Sequence, residues 1–361
     1  MATRDPSQSP NWQRPTPPVP IVRDAQIQTL ATETFDILVI GGGATGSGIA
    51  LDAALRGLKT ALIERGDFGC ETSSRSTKLI HGGVRYLERA VLHFDRGQFR
   101  LVREALRERA LLLQIAPHLV HPLQLLTPLY NRMLIPYYRL GLRLYDRLSG
   151  QYQLKRSQYV GPKAALDLFP AVSTKGLKGG VTYWDGQFDD ARLNLALIFS
   201  AIRAGATIAN YVSAQHFLEE KKRACGVVAR DEESQNEFPI RAKAIVNASG
   251  PFLDTLRKME DPEAKKMLAV SSGTHVIVPR ERTQTGVGLL IPKTRDNRVL
   301  FLLPWHQYSL LGTTDNKAKV VSNPQPTAHD CSYLLQEANH VLAKPLHAHD
   351  ISSAWCEWPK K

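Results

Sequence analysis

Cysteine is scarce and scattered: Cys70, Cys225, Cys331 and Cys356 show neither a Cys-x-x-Cys pair nor a His-paired spacing, which argues against a disulfide framework or a metal site. Long apolar runs are lacking as well. The stretch from Leu111 to Asn131, free of Asp, Glu, Lys and Arg, is broken by Pro117, Pro122 and Pro128 and holds His118, His121, Gln114 and Gln124. It makes a poor bilayer-crossing helix, and no spanning segment is expected. Residues 1–34 hold six prolines, little periodicity and no apolar signal core, and Asp5, Asp24 and Glu33 argue against an organellar transit peptide. They read as a disordered or extended lead-in. There is no internal repeat and no recognisable nucleic-acid module, so no nucleic-acid partner is expected.

What is present is ordinary for a globular chain. Hydrophobic residues make up 43% and charged residues 22% of 361, enough for a full core in one or two domains. A net charge of +12 draws the chain toward anionic surfaces, substrates or lipids, unless the excess arginine merely solubilises the surface.

The organising stretch starts at Phe35-Asp-Ile-Leu-Val-Ile40, a short β-branched and apolar run. Gly41-Gly42-Gly43-Ala44-Thr45-Gly46 follows at once and opens a helical segment from Ala44 to Arg56. Strand, glycine turn and helix in that order form a dinucleotide cradle: Gly41 permits the turn, Gly43 the approach of a pyrophosphate, and Gly46 close helix packing. The helix start faces the phosphates with free N–H groups. A second strand, Lys59 to Ile63, ends in Glu64, at the spacing of an acid that binds a ribose hydroxyl. Gly57 reads as the helix cap between them.

Thr72-Ser-Ser-Arg-Ser-Thr-Lys-Leu-Ile-His-Gly-Gly-Val-Arg-Tyr86 carries a resemblance. It is similar to the signature of FAD-dependent glycerol-3-phosphate dehydrogenases, in wording nearest the mitochondrial type. The similarity continues through Glu108 to Leu113, Tyr183 to Arg192, Val246 to Pro251 and Gly312-Thr-Thr-Asp315, and covers about residues 20 to 356. The resemblance implies an α/β fold: a Rossmann-type FAD-binding domain interleaved with a mixed or antiparallel-sheet substrate (cap) domain. The FAD-binding parts are placed at about 35–115 and 190–255, and the cap parts at about 116–189 and 256–345, within a domain spanning 35–361. It also implies FAD as cofactor, sn-glycerol 3-phosphate as substrate, a membrane quinone such as ubiquinone as electron acceptor, and peripheral association with the mitochondrial inner membrane.

Between these motifs the pattern is coarser. Phe99, Val102, Leu106 and Leu113 lie on one helical arc, with Arg100, Arg103, Arg107 and Arg109 elsewhere as a solvated face. In Leu129 to Leu148, Tyr137, Gly141, Tyr145 and Leu148 share one side and Arg139, Arg143 and Arg147 the other. Two readings compete there: a segment lying on an anionic membrane, or a cap helix packed on its own domain. A helix is expected from Asp190 to Ala204, an antiparallel meander through Thr207–Val212, Ala224–Arg230 and Phe238–Ile240, and a buried strand from Lys243 to Gly250. Further strands at Thr274–Val278, Val299–Leu303 and Ser309–Leu311 read as the cap sheet, and Glu219 to Arg223 as a hairpin tip.

The flavin does the redox work in such an enzyme, so the protein must supply orientation, a base and a charge clamp. His81 is the base candidate, as imidazole exchanges a proton near neutral pH. Arg85 suits a phosphate with its planar fork, and Tyr86 adds a hydroxyl. Arg65, Thr72, Ser73, Ser74, Lys78, Gly82 and Gly250 join the glycines and Glu64 as cofactor-side candidates. Structural alternatives stand beside each: a histidine bonded in a packed turn, a surface arginine, a core tyrosine.

The resemblance stops at Ser353-Ala-Trp-Cys356. Family members go on with a Gly-x-Arg-Pro segment, a glycine-rich strand and helix, and a C-terminal helical domain, where this sequence reads Glu357-Trp-Pro-Lys-Lys361. Weak FAD binding, lower stability than a longer relative and little or no activity are therefore one expectation. An amine or amino-acid oxidase of the same architecture is another, against which the Lys78 to Tyr86 signature argues.

Overall fold

The run around Val39 becomes the middle of a sheet, and its neighbours on both sides come from distant parts of the sequence. The computed structural model describes residues 22–83, 95–284 and 286–358. The chain begins with α1 (Arg23–Thr32), β1 (Thr34–Ile40), α2 (Ala44–Leu55) and β2 (Thr60–Ile63). It then crosses to a second sheet with β3 (Leu79–Ile80), α3 (Arg96–Ile115), β4 (Val120–Leu129), α4 (Leu134–Ser149), β5 (Gln158–Val160), α5 (Pro162–Leu168) and β6 (Gly179–Phe188). A return to the first sheet uses α6 (Asp190–Arg203), β7 (Thr207–Ala209), β8 (Val212–Glu220), β9 (Arg223–Asp231), β10 (Glu237–Asn247) and α7 (Leu253–Glu260). The second sheet is completed by β11 (Ser271–Pro279), β12 (Gly288–Ile291), β13 (Leu300–Trp305), β14 (Tyr308–Gly312), β15 (Asn316–Lys317), α8 (Ala328–Asn339) and β16 (Ser353–Glu357).

The first sheet runs β7-β2-β1-β10-β9-β8. Val39 sits beside Leu62 of β2 and Val246 of β10, all three strands parallel, so the run from Lys243 does return beside the glycine loop. Both faces are covered, as parallel sheets require. Leu38, Ile40, Ala61 and Ile63 pack under α1 and α7, while Val39, Leu62 and Ile208 pack against Ala50 and Ala54 of α2 and Ile198 and Ala201 of α6. The meander is shorter than its sequence suggests: β7 extends the parallel edge beside β2, and only β8, β9 and β10 form antiparallel pairs. Lys221 and Lys222, both at positive φ, form the hairpin tip expected at Glu219 to Arg223.

The lead-in expected to stay structureless through residue 34 is ordered in its last third. α1 buries Leu30 completely, packs Ile27 beside Phe35 and brings Gln26 Oε1 within 2.9 Å of the Ile208 N–H. Arg23 pairs with Asp231 at 2.6 Å and holds that carboxyl well below the usual carboxylate range. Long-range contacts override weak local periodicity here.

The second sheet runs β15-β11-β14-β13-β12-β4-β6-β3, with β16 on β11 and β5 on β6. It is antiparallel except where β12 lies beside β4. Leu126, Val276, Leu289 and Leu302 face α5 and α8. Leu125, Leu290, Leu303 and Tyr183 face Val102 and Leu106 of α3 and Leu142 and Tyr145 of α4. Each fully buried leucine in these layers contributes roughly 1.5–3 kcal/mol. β3 and α3 therefore both pack with the cap sheet, whereas the sequence placed residues 35–115 on the FAD-binding side. No helix among the described residues is long and apolar enough to cross a membrane.

α4 is amphipathic in a different sense from the sequence reading. Tyr145 turns inward with Leu142, whereas Met133, Leu134, Tyr137 and Leu140 are exposed, beside exposed Arg139, Arg143 and Arg147.

Candidate functional site

β1 ends in a turn only glycine can make. Gly41 has φ +118°, and a Cβ there would stand 2.5 Å from Ala248 O. At Gly46 a Cβ would run into Gly41 O, so the first turn of α2 lies directly on the end of the strand. Asn194 of α6, 1% exposed, fixes the loop from behind by donating to Gly42 O at 2.9 Å. Gly43 caps α2 with no side chain, and Ala44 N donates to Ser73 Oγ at 2.9 Å.

A cleft of about 480 Å³ opens over this turn, within the range of small-molecule sites. Gly41, Gly43, Ala44 and Thr45 form its phosphate-facing wall, with Ser73 and Thr72 across from them. Glu64 lies at the end of β2, its Oε2 accepting from Gly42 N at 2.7 Å and its Oε1 from Gly66 N at 2.8 Å. Ala248, Gly250 and Phe252 close the far side, and Arg65 lies flat on the Phe252 ring, 3.7 Å from its centroid. Leu256 and Met259 of α7 add apolar surface. Trp358, 2% exposed, walls the end near Thr72, whose hydroxyl donates to Trp358 O at 3.1 Å.

These residues fit FAD. A helix start without a side-chain cap suits a pyrophosphate, and the room beside Gly43, which a Cβ would fill up to Ser73 Oγ at 2.9 Å, lets the phosphates reach backbone. Glu71 Oε2 is buried in the cleft wall without a hydrogen-bond partner among the described residues, and a hydroxyl-rich ligand would satisfy it.

The candidates named from sequence separate into groups. Gly41, Gly43, Ala44, Thr45, Glu64, Arg65, Thr72, Ser73 and Gly250 line the cleft, and Gly42 and Gly46 shape the loop beneath. Ser74, Lys78 and Gly82 lie off it. Lys78, 7% exposed, reaches Asp190 Oδ1 and Ser74 O, each at 2.6 Å, while Asp190 Oδ2 accepts from Ser76 N and Oγ. This buried pair ties the loop after residue 72 to the start of α6. Gly82 has no room for a Cβ against Tyr145 and Leu106. Arg85 and Tyr86 lie outside the described residues.

His81 is exposed at the end of this loop. Its Nδ1 accepts from Gly83 N at 3.1 Å, and since a backbone N–H can only donate, the neutral ring carries its proton on Nε2. Beneath the turn lies an ion pair that sequence reasoning missed. Arg109, expected on a solvated face, is 1% exposed and meets fully buried Asp185 at 2.5 Å. Nearby, Thr77 Oγ1 and His275 Nε2 are 2.9 Å apart. Burial, and then the charge of Lys78, push His275 down from its ordinary 6.5 to about 3, so it is neutral. Burial and then Asp190 push Glu357 up to about 8.

The comparisons agree with this geometry. Residues 36–358 match the family described as FAD dependent oxidoreductase. The chain is 47% identical over 341 residues to a probable mitochondrial glycerol-3-phosphate dehydrogenase of Caenorhabditis elegans, covering 93% of this chain and 47% of that one. It is 46% identical over 345 residues to the mitochondrial glycerol-3-phosphate dehydrogenase of Bos taurus, covering 93% and 48%. The chain thus spans about half the length of the curated relatives it matches. The structure of a glycerol-3-phosphate dehydrogenase from Bacillus halodurans complexed with FAD superposes with a TM-score of 0.77 at 32% identity, covering 94% of this chain and 59% of that one. The glycine turn, the cleft above it and these likenesses converge, and the chain belongs to the FAD dependent oxidoreductase family.

Proposed function

We propose that the chain carries the flavin and substrate half of an enzyme that oxidises sn-glycerol 3-phosphate to dihydroxyacetone phosphate and passes the electrons to a membrane quinone such as ubiquinone. The observation that carries this reading is the cleft over the Gly41–Gly46 turn joined by one pinned loop to His81, in a chain 32% identical to a glycerol-3-phosphate dehydrogenase complexed with FAD. FAD, when bound, supplies the acceptor for the hydride that leaves C2 of the alcohol. The hydroxyl proton goes to His81. With the ring proton on Nε2, Nδ1 is the nitrogen that takes the proton, exchanging the Gly83 N–H for the substrate hydroxyl as it does so. Arg85 and Tyr86 are assigned the phosphate on the strength of their place in the signature.

Reconstituting the purified chain with FAD and adding sn-glycerol 3-phosphate without oxygen tests the reading. Bleaching of the yellow flavin by this substrate, and not by glycine or other amines, is expected. A flavin that stays oxidised refutes it.

The same reading puts the chain at the mitochondrial inner membrane, as names of its relatives suggest for the organelle. The outer face of α4 and the residue that precedes it support peripheral docking: Met133 is 85% and Leu140 71% exposed, with Arg139, Arg143 and Arg147 beside them for anionic headgroups. Replacing the three arginines by Glu is expected to abolish flotation with anionic vesicles, and retained flotation removes the docking assignment.

A further inference from the structure

Three donors converge on a single oxygen under the His81 turn. Asp185 Oδ1 accepts from Arg109 Nη1 at 2.5 Å, from Tyr145 Oη at 2.9 Å and from Gly82 N at 3.1 Å. Asp185 Oδ2, equally buried, has no hydrogen-bond partner among the described residues, so the hydrogen bonds described gather on the oxygen that faces the turn. Arg109 is held in turn by Trp184 O at 3.1 Å, and Tyr145 lies edge-on to Tyr183, 6.2 Å between ring centroids. Burial, and then the Asp185 charge, keep the Tyr145 hydroxyl well above its ordinary value, so it stays a donor.

Such a node is costly to bury. A buried charge pair seldom exceeds apolar packing in stability, so its value lies in what it fixes. What it fixes here is one backbone N–H, that of Gly82, between His81 and the Gly83 N–H that sets the His81 tautomer. We infer that Asp185 is a positioning residue for His81, and that Tyr145 makes α4 part of the same device. The chain of contacts runs from α4 through the buried side chains of Tyr145 and Asp185 to Gly82 N. A shift of α4 is thereby felt as a change in how the 81–83 turn presents the imidazole. The inference rests on the reading of His81 as the group that handles the substrate proton.

The experiment uses the FAD-loaded chain labelled with nitrogen-15 histidine, with the His81 signals assigned by their loss in His81→Gln. Above neutral pH the wild-type ring is expected to show widely separated nitrogens, with the proton on Nε2. Tyr145→Phe removes one donor and little volume. It is expected to bring the two His81 nitrogen signals toward each other as the second tautomer gains population, while the His275 signals stay in place. Turnover of sn-glycerol 3-phosphate should fall about tenfold with KM unchanged, the size of one hydrogen bond to a charged group. Asp185→Asn should change the His81 signals further in the same direction, and Tyr145→Phe decides alone if that variant does not fold. Unchanged His81 signals in folded Tyr145→Phe overturn the inference. Wild-type protein that is not reduced by the substrate overturns the functional reading instead, and leaves the tautomer measurement standing.

Discussion

The two ends of the loop that joins the sheets are built on opposite principles. At the glycine end the ligand surface is mostly backbone, shaped by what is missing at Gly41, Gly43 and Gly46 and braced by one carboxylate, Glu64. At the His81 end the turn is held by buried ions, Lys78 with Asp190 and Arg109 with Asp185, whose partners lie 112 and 76 residues apart in sequence. The first arrangement tolerates drift in side-chain charge but no added volume. The second tolerates no unpaired charge, because each ion was desolvated only in the presence of its partner.

Asp190→Ala strikes the second arrangement where the contrast should be greatest. It strands the Lys78 ammonium in a site 7% exposed and removes the acceptor of Ser76, so a loss of about 3–5 kcal/mol in urea unfolding is expected. A change below about 1 kcal/mol would place this pair with surface ion pairs and erase the distinction.

Glu357 and His275 give the same end a pH signature. The folded chain holds the Glu357 proton up to about pH 8, against an ordinary 4.5, so this contribution is full at low pH and is lost as pH rises through that interval. His275 acts in the other direction: its folded value of about 3 against 6.5 costs stability as pH falls through that range. Thermal melts should therefore show a maximum between the two, and Glu357→Gln should flatten the alkaline side while leaving the acid side. An unaltered alkaline side would detach the carboxyl from the fold's stability.

At the glycine end, Gly46→Ala sharpens the comparison with a smaller effect. The added methyl meets Gly41 O and forces α2 off the strand, a cost of about 1–3 kcal/mol expected mainly as weaker FAD binding, read by quenching of flavin fluorescence. Wild-type affinity in that variant would show that the loop has slack the geometry denies.

The same contrast governs what could be read from the sequence. Phe35 to Glu64 was legible because its pattern is local, a strand, three glycines and an acid within one βαβ unit, even though Asn194 and Ala248 complete the turn from afar. Arg109 was not, since its spacing matches Arg100, Arg103 and Arg107, and only a partner 76 residues on distinguishes it from a solvated neighbour. Asp190 and Asn194 look like the start of an ordinary helix until the fold lays that helix against the glycine loop. Tyr145 was grouped with Tyr137 and Gly141 on one side of the helix, yet those two are exposed and Tyr145 is buried, since periodicity does not say which side faces protein. α1 was hidden by the prolines before it, because Leu30, Ile27 and Arg23 matter only once β7 and β9 are in place.

Trp358 turns the cleft wall into an optical reporter. Of the five tryptophans, Trp358 lines the cleft, with its carbonyl on Thr72 and its indole N–H on Val321 O at 3.1 Å. A dinucleotide that emits and absorbs light, seated against that indole, would drain its emission, so loading can be followed in a cuvette without any turnover at all.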